Sequence, residues 1–219
     1  MTLIEAIEAR HAVRAYTSRP IEEEKVAALK DEIEKINKES DLRFMLFTNE
    51  PEAFKAGQPH YGSFSGCFNY FALIGKKDDD EKIGYYGERL VLFAQTLGLN
   101  TCWVAMTYEH GKVMANLSKD EKIFDVVSLG YGATQGVQHK SKPIEKLCKV
   151  KGDAPEWFWS GMKAASLAPT AINQQQFLIT YDGDGVSAKA LLGPCSKTDL
   201  GIVKYHFELG AGKENVKWK

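Results

Sequence analysis

The stretch Ala168-Pro169-Thr170-Ala171-Ile172-Asn173-Gln174-Gln175-Gln176-Phe177 sits where one kind of periodicity gives way to another. Before it, Pro155 to Ala168 reads as a helix, and Pro169 stops it because a proline ring cannot continue the hydrogen-bond ladder. After it, Phe177 to Tyr181 reads as a strand. Thr170, Asn173 and Gln175 crowd the turn between them. Two readings of that turn stand open. Short polar side chains and free backbone N–H groups can read the edge of a planar heterocycle, or Thr and Asn can bond their own backbone as in any tight turn.

The same alternation runs outward along the chain. Thr2 with Glu5 three residues later is a capping-box pattern that opens a first helix through Ala9. After Pro20, Ile21, Val26, Leu29, Ile33 and Ile36 recur at helical spacing to about Lys38. Leu42 to Phe47 and Phe68 to Ile74 read as strands. Gly84 to Leu97 reads as a helix stopped by Gly98. Thr101 to Met106 and Ile123 to Leu129 are short buried strands, and Asp199 to Leu209 is a last helix ending at Gly210. This is enough helix to cover both faces of one sheet. The polar region Lys140 to Asp153 is the expected join between halves. A partial echo accompanies it: a helix precedes Leu42–Phe47 as one precedes Phe177–Tyr181, and Gly87, Phe93 and Gly98 recur in type and spacing as Gly201, Phe207 and Gly212. Helix ends attract glycine in any case, but the agreement of element order points to a duplication. The expected organisation is one domain over 1–219, built as two interlocked half-repeats of about 1–142 and 143–219.

Bulk composition narrows the class. Of 219 residues, 44% are hydrophobic and 26% charged, the profile of a globular protein. With 28 basic and 29 acidic residues the net charge is −1, which argues against nucleic acid or an anionic membrane as partner. A bound phosphate must therefore be gripped by a few local cations. The start Met1-Thr2-Leu3-Ile4-Glu5-Ala6 lacks the basic-then-apolar pattern of a secretory signal. Apolar runs such as Phe68 to Gly75 fall far short of the ~20 residues that span a bilayer. Cys67, Cys102, Cys148 and Cys195 form no C-x-x-C pair, which suits reduced thiols and a cytoplasmic location.

Arg10-His11-Ala12-Val13-Arg14-Ala15-Tyr16 follows the first helix and places two arginines four residues apart. Their planar donor forks suit a phosphate or a carbonyl-edged ring. On spacing alone, a solvated helix end, where a basic residue favours the dipole by about 0.3–1 kcal/mol, explains them better.

Taken together, the segments resemble a family. Arg10 to Tyr16 resembles the R-[RH]-S-x-[RK]-x-[FY] signature of the FMN-dependent nitroreductases, and Ala168 to Phe177 resembles their A-P-S-x-x-N-x-Q-P-W loop. Leu97-Gly98-Leu99-Asn100-Thr101-Cys102-Trp103 is similar to their L-G-[LI]-x-[ST]-C-[WP] segment, and His139-Lys140-Ser141-Lys142-Pro143 to a late K-S-R stretch. In most nitroreductases the A-P-S loop follows the first long helix, whereas here it lies in the C-terminal half. That order resembles the branch named for putative TM nitroreductases. The implied fold is α+β, a three-layer α/β/α sandwich with a mixed, largely antiparallel sheet. The resemblance implies FMN as cofactor, with Arg10, Lys140 and Lys142 toward its phosphate and Arg14 facing the N1–O2 edge of the flavin, where a cation stabilises the charge of the reduced ring. His11 and Ala12 lie in the same signature. Ala105-Met106, at the expected strand end, would offer a backbone N–H near flavin N5. Pro169, Thr170, Ala171, Asn173 and Gln175 would close over the ring or the ribityl chain.

Several positions depart from the family pattern. Ala12 replaces a serine and removes one phosphate hydrogen bond, worth about 1.5–3 kcal/mol to a charged group. Lys142 replaces an arginine and loses the bidentate fork. Ala105-Met106 stands where Glu-Gly is common, and Gln176-Phe177 where Pro-Trp is. Other motifs are set aside. Gly130-Tyr131-Gly132 begins a dinucleotide fingerprint, but position 135 is Gln and no helix pattern opens there. His206-Phe207-Glu208 with Pro194-Cys195 has a zinc deaminase's residues in reversed order and without the second Cys. Trp103 and Phe177 could stack on a ligand, but core packing is the commoner use of such aromatics. His11 is the one histidine to watch.

The expected function is an FMN-dependent oxidoreductase passing electrons from NAD(P)H to a nitroaromatic, a quinone or a similar acceptor, with no catalytic side chain required. The alternative is a flavin- or small-ligand-binding protein of the same fold without turnover. The chain would act as a monomeric pseudo-dimer, or as a homodimer whose loop crosses between chains.

Overall fold

A computed structural model describes residues 1–55 and 63–219. The chain divides into two compact units, one of Ala9–Asp79 with Leu90–Gln138, the other of Met1–Glu8, Asp80–Arg89 and His139–Lys219. The helices are α1 (Leu3–Ala9), α2 (Glu23–Ser40), α3 (Asp80–Thr96), α4 (Glu156–Ser166) and α5 (Ser196–Ala211). The strands are β1 (Arg43–Phe47), β2 (Asn69–Lys76), β3 (Asn100–Val104), β4 (Glu121–Gly130), β5 (Cys148–Val150), β6 (Phe177–Tyr181) and β7 (Val186–Ala190). The fold is α+β, with mixed but largely antiparallel pairing distributed over two sheets.

In the first unit, β1-β2-β4-β3 form a wholly antiparallel four-stranded sheet. β2 is central, and Asn69 to Gly75 are buried without alternation, as expected of a strand covered on both faces. Phe71, Leu73 and Ile74 contribute about 1.5–3 kcal/mol each by leaving water. Phe47 stacks on Tyr70 with ring centroids 5.0 Å apart, and Phe54 meets Tyr70 edge-on at 5.7 Å. Across the sheet, Arg43 of β1 grips Glu121 of β4 with two donors, Nε at 2.8 Å and a terminal nitrogen at 2.9 Å.

In the second unit, β5 pairs parallel with β6, and β6 antiparallel with β7. α4 and α5 pack closely: Cβ atoms at Gly161 and Gly210 would stand 2.7 Å from the Phe207 ring and 2.6 Å from the Ser160 carbonyl oxygen. Helix α5 therefore runs on to Ala211, not to the expected stop at Gly210, because that glycine serves close packing and not termination. The initial part of α3 crosses α5 at another glycine pair. A Cβ on Gly84 would lie 1.9 Å from the Thr198 carbonyl oxygen, and one on Gly201 1.9 Å from that of Glu81. Beyond α5, residues Val216–Lys219 return to β7: Val186 N–H donates to Lys217 O, and Lys219 N–H to Val186 O, each at 3.0 Å. Trp218 Nε1 donates to Glu208 at 2.7 Å, and Lys219 Nζ to both oxygens of Asp182 at 2.8 and 2.7 Å.

The expected capping box is formed: Thr2 N–H donates to Glu5 at 2.7 Å and Glu5 N–H to the Thr2 hydroxyl at 3.2 Å, which lowers the Glu5 carboxyl below its ordinary range. The expected join Lys140–Asp153 instead contains β5, a strand too short to announce itself. The element order α2-β1-β2-α3 recurs as α4-β6-β7-α5, each with an antiparallel strand pair between two helices.

Candidate flavin-binding segments

In the first unit, the segment after Ala9 lies along the edge strand β3. Ala12 bridges Thr101 in parallel, and Val13 N–H donates to Thr101 O at 3.1 Å. Tyr16 N–H donates to Ser65 O at 2.9 Å, and Ser65 N–H returns to Arg14 O at 3.0 Å. The buried Tyr16 hydroxyl donates to Val13 O and pairs with Ser128 Oγ, each at 2.7 Å. Burial holds that phenol well above its ordinary range despite the Ser128 bond. A backbone bonded at this density is a rigid support, and from it the exposed Arg14 guanidinium projects. Arg10, by contrast, is only 5% accessible, so a phosphate reaches it only if its surroundings open. His11 is half-buried and Ala12 exposed. Both arginines act on the buried Cys102 thiol of β3: burial raises its pKa, and the charges of Arg14 and then Arg10 oppose that rise.

Ala105 and Met106 lie beyond β3, not at its end. The strand stops at Val104, where its register with Val126 of β4 ends, and the chain bends away leaving Met106 63% exposed.

In the second unit, the loop from Thr170 to Gln175 departs from ordinary backbone geometry. Ile172, Asn173 and Gln175 have φ of 47°, 54° and 45°, in the left-handed region that costs non-glycine residues about 1–3 kcal/mol each. Both readings of its polar residues bear on what holds it. The Thr170 hydroxyl accepts from Gln175 N–H at 3.0 Å, which is turn chemistry. Gln175, 1% exposed, accepts from the Lys142 N–H at 2.6 Å and donates to Ser166 O at 3.0 Å. Ser141 and His139 also donate to that α4 terminal carbonyl, at 2.8 and 3.2 Å. Asn173 donates to Lys140 O at 3.0 Å. The ammonium of Lys142, assigned to a phosphate from the sequence, instead donates to Gln174 O at 2.7 Å and Gln175 O at 3.2 Å. Those loop-turned carbonyls need a donor, and Lys142 supplies it. Lys140 is exposed and Pro169, Thr170 and Ala171 are half-buried, while Ile172 stands 74% exposed at the loop tip.

The chain matches the family described as Putative TM nitroreductase over residues 2–211. It belongs to that family. A structure from Thermotoga maritima described as a putative nitroreductase is similar at 25% identity and a TM-score of 0.68, covering 98% of this chain and 85% of that one. A second, from Desulfovibrio desulfuricans and solved in complex with FMN, is 15% identical with a TM-score of 0.53, covering 71% and 98%. A third, from Parabacteroides distasonis and described as a Putative NADH dehydrogenase/NAD(P)H nitroreductase, is 18% identical with a TM-score of 0.52, covering 66% and 95%. These last two share the fold. No curated protein matches the chain.

Two further residues, Asp199 and Gln174, hold the 170–175 loop without any local mark in the sequence. Asp199, in the first turn of α5, is 3% exposed and accepts from Ala171 N–H at 3.0 and 3.2 Å and from the Gln174 amide at 2.8 Å. Burial pushes its carboxyl up to about 6, against the pull of those two bonds. Gln174 also donates to Pro194 O at 2.6 Å. An acidic residue in a first helical turn reads as a complement to the helix dipole, so nothing local marked Asp199. Among the described residues, no helix is long and apolar enough to cross a membrane, and no cluster of three His, Cys, Asp or Glu could hold a metal.

Proposed function

We propose that this nitroreductase-family protein binds FMN and passes electrons from NADH or NADPH to a small acceptor such as a nitroaromatic or a quinone. The observation that carries the reading is Arg14, an exposed guanidinium held on a hydrogen-bonded edge segment within a signature that resembles the family's. Bound FMN would supply the redox chemistry. The protein's part is to bind, orient and exclude. Arg14 would favour negative charge on the flavin's N1–O2 edge, and Lys140, with Arg10 where its cover opens, would favour the phosphate. Thr170, Ala171 and Asn173, with the apolar Ile172 at the loop tip, would shield ring or ribityl chain from water. Lys142 and Gln175 would serve by bracing that loop. Near-neutral charge and free thiols suit a cytoplasmic enzyme.

Two observations favour the second reading, a flavin-binding protein without turnover. Ala12 presents a methyl group where the family has a hydroxyl, and Lys142 is bonded to carbonyls, so two phosphate contacts are weak or missing. Titration with FMN tests both. Quenching of flavin fluorescence near one equivalent, followed by bleaching with NADH or NADPH, supports the enzyme; quenching without bleaching supports the binder; no quenching at high micromolar FMN ends the cofactor proposal. Mixing an Arg14→Ala chain with a loop-substituted chain decides the assembly. Recovery of FMN binding on mixing means that loop and arginine come from different copies, and no recovery fits a pseudo-dimer.

A further inference from the structure

We propose that Asp199 is the positioning residue of the 170–175 loop: its buried, ionised carboxylate holds Ala171 and Gln174 and so sets the loop in the form that receives the flavin. The flavin clause rests on the function proposed above; the loop clause does not.

The geometry makes Asp199 an unusual structural choice. Its carboxylate is almost fully withdrawn from water, yet among the described residues its hydrogen-bond donors are a backbone N–H and a neutral amide, with no cation. Charged and titratable groups nearby are directed elsewhere. Lys142 bonds Gln174 and Gln175 carbonyls, Lys204 of α5 pairs with Glu81 of α3, His139 faces Ser166 O, and Lys197 and the Cys195 thiol are exposed. Burying a carboxylate without a cation opposes folding. The return on that cost is local. Ala171 begins the 3-10 turn in which Ile172 and Asn173 take positive φ, and Gln174 is fastened on one side to Asp199 and on the other to Pro194 O. Bonds to an ionised acceptor are roughly twice as strong as neutral ones, and a loop with three left-handed non-glycine residues needs them.

This arrangement separates two quantities that move together for an ordinary structural residue. Asp199→Asn removes the buried charge and turns one acceptor into a donor facing the Gln174 amide. Global stability should therefore hold or rise, while the loop loosens.

The test is hydrogen exchange of the 170–175 amides in wild type and Asp199→Asn at pH 8, with thermal melts of both. The expected result is loop exchange faster by about tenfold, the loss of one hydrogen bond to a charged group, with an unchanged or higher Tm. Unchanged loop exchange overturns the proposal. So does faster exchange spread evenly through α4 and α5 with a lower Tm, which marks simple unfolding. A second measurement needs no variant: wild-type loop exchange, corrected for its intrinsic pH dependence, should change between pH 8 and 5 as the Asp199 carboxylate gains its proton, and a flat profile overturns the proposal. FMN affinity should weaken about tenfold in the variant and lose the part of its pH dependence that wild type shows in excess. Titration of the FMN phosphate is common to both proteins and cancels. Equal affinity across that pH range overturns the flavin clause. If wild type binds no FMN, the function proposed above fails, and the exchange comparison alone decides whether Asp199 holds the loop.

Discussion

The Nε2 atom of His206 lies 2.9 Å from Oε1 of Glu88, and both side chains are fully shielded from water. The other ring nitrogen faces Ala164 O at 3.1 Å. A carbonyl only accepts, so Nδ1 carries a proton, and the Nε2–Glu88 bond shares one proton whether the pair is imidazolium–carboxylate or imidazole–carboxylic acid. Either arrangement is internally neutral. Glu88→Ala is expected to cost about 3–5 kcal/mol, the penalty for breaking a buried pair. Glu88→Gln should cost clearly less, since its amide can donate to Nε2. Urea titrations of the two variants give the comparison, and equal losses would show that packing and not the bond matters.

Helices α3 and α5 meet at Gly84 and Gly201 with no room for a methyl group. Either glycine changed to alanine must drive a Cβ into backbone and should destabilise by the upper end of ~1–3 kcal/mol or more. Gly98 is the control: its φ is +77° but nothing lies within 4 Å of a Cβ there. Gly98→Ala should cost about 1–2 kcal/mol through backbone strain alone. Thermal melts that rank Gly98→Ala as the worst of the three would contradict the crossing described.

Arg14 and Arg10 differ in accessibility, and their variants should differ in kind. Arg14→Ala should leave the melting temperature near wild type and lower kcat/KM with NADH by about tenfold to a hundredfold, the worth of a charged hydrogen bond. Arg10→Ala, at a 5% exposed position, should lose stability as well as FMN retention. If Arg14→Ala proves to be the unstable variant, the support for Arg14 as the ligand-facing residue is gone.

Two carboxyls set opposite acid responses. The Arg43 guanidinium, then the Ser118 N–H, hold Glu121 down at about 2 from an ordinary 4.5. Its contribution is present above pH 4.5 and fades as pH falls toward 2. Asp199, raised from 3.8 to about 6, does the reverse: between those values the folded chain holds a proton that the unfolded chain lacks. That term makes stability rise as pH falls from 6 to 4. Denaturation free energies across pH 2–8 should show Asp199→Asn flattening the 4–6 window and Arg43→Ala flattening the range below 4.5. An unaltered 4–6 window in Asp199→Asn would contradict the assignment of that titration.

Local signals proved legible in the sequence and long-range ones did not. The Thr2–Glu5 box and strand Phe177–Tyr181 are where their residues place them, because capping and strand patterning act over a few positions. β7, Val186-Ser187-Ala188-Lys189-Ala190, has small and polar side chains and no clear alternation; its pairing with β6 makes it a strand. Gly210 reads as a helix stop and works as a packing surface, a difference that only a neighbouring helix decides. In the candidate site, Arg14 and the Ala168–Gln175 turn stand out by residue type. Asp199 does not, since its partners lie 28 and 25 positions away. Lys142 shows the same limit from the other side: its bonds to the Gln174 and Gln175 carbonyls, 32 and 33 positions away, have no local signal either.

The return of Val216–Lys219 to β7 bears on how the protein behaves at high concentration. A sheet edge with unpaired N–H and C=O groups templates the strands of other molecules. Here the short segment pairs with the first residue of β7, Val186, and Trp218 and Lys219 fasten it through Glu208 and Asp182. Changing Trp218 would therefore be felt first in solubility, as self-association through the newly bared Val186 end of β7.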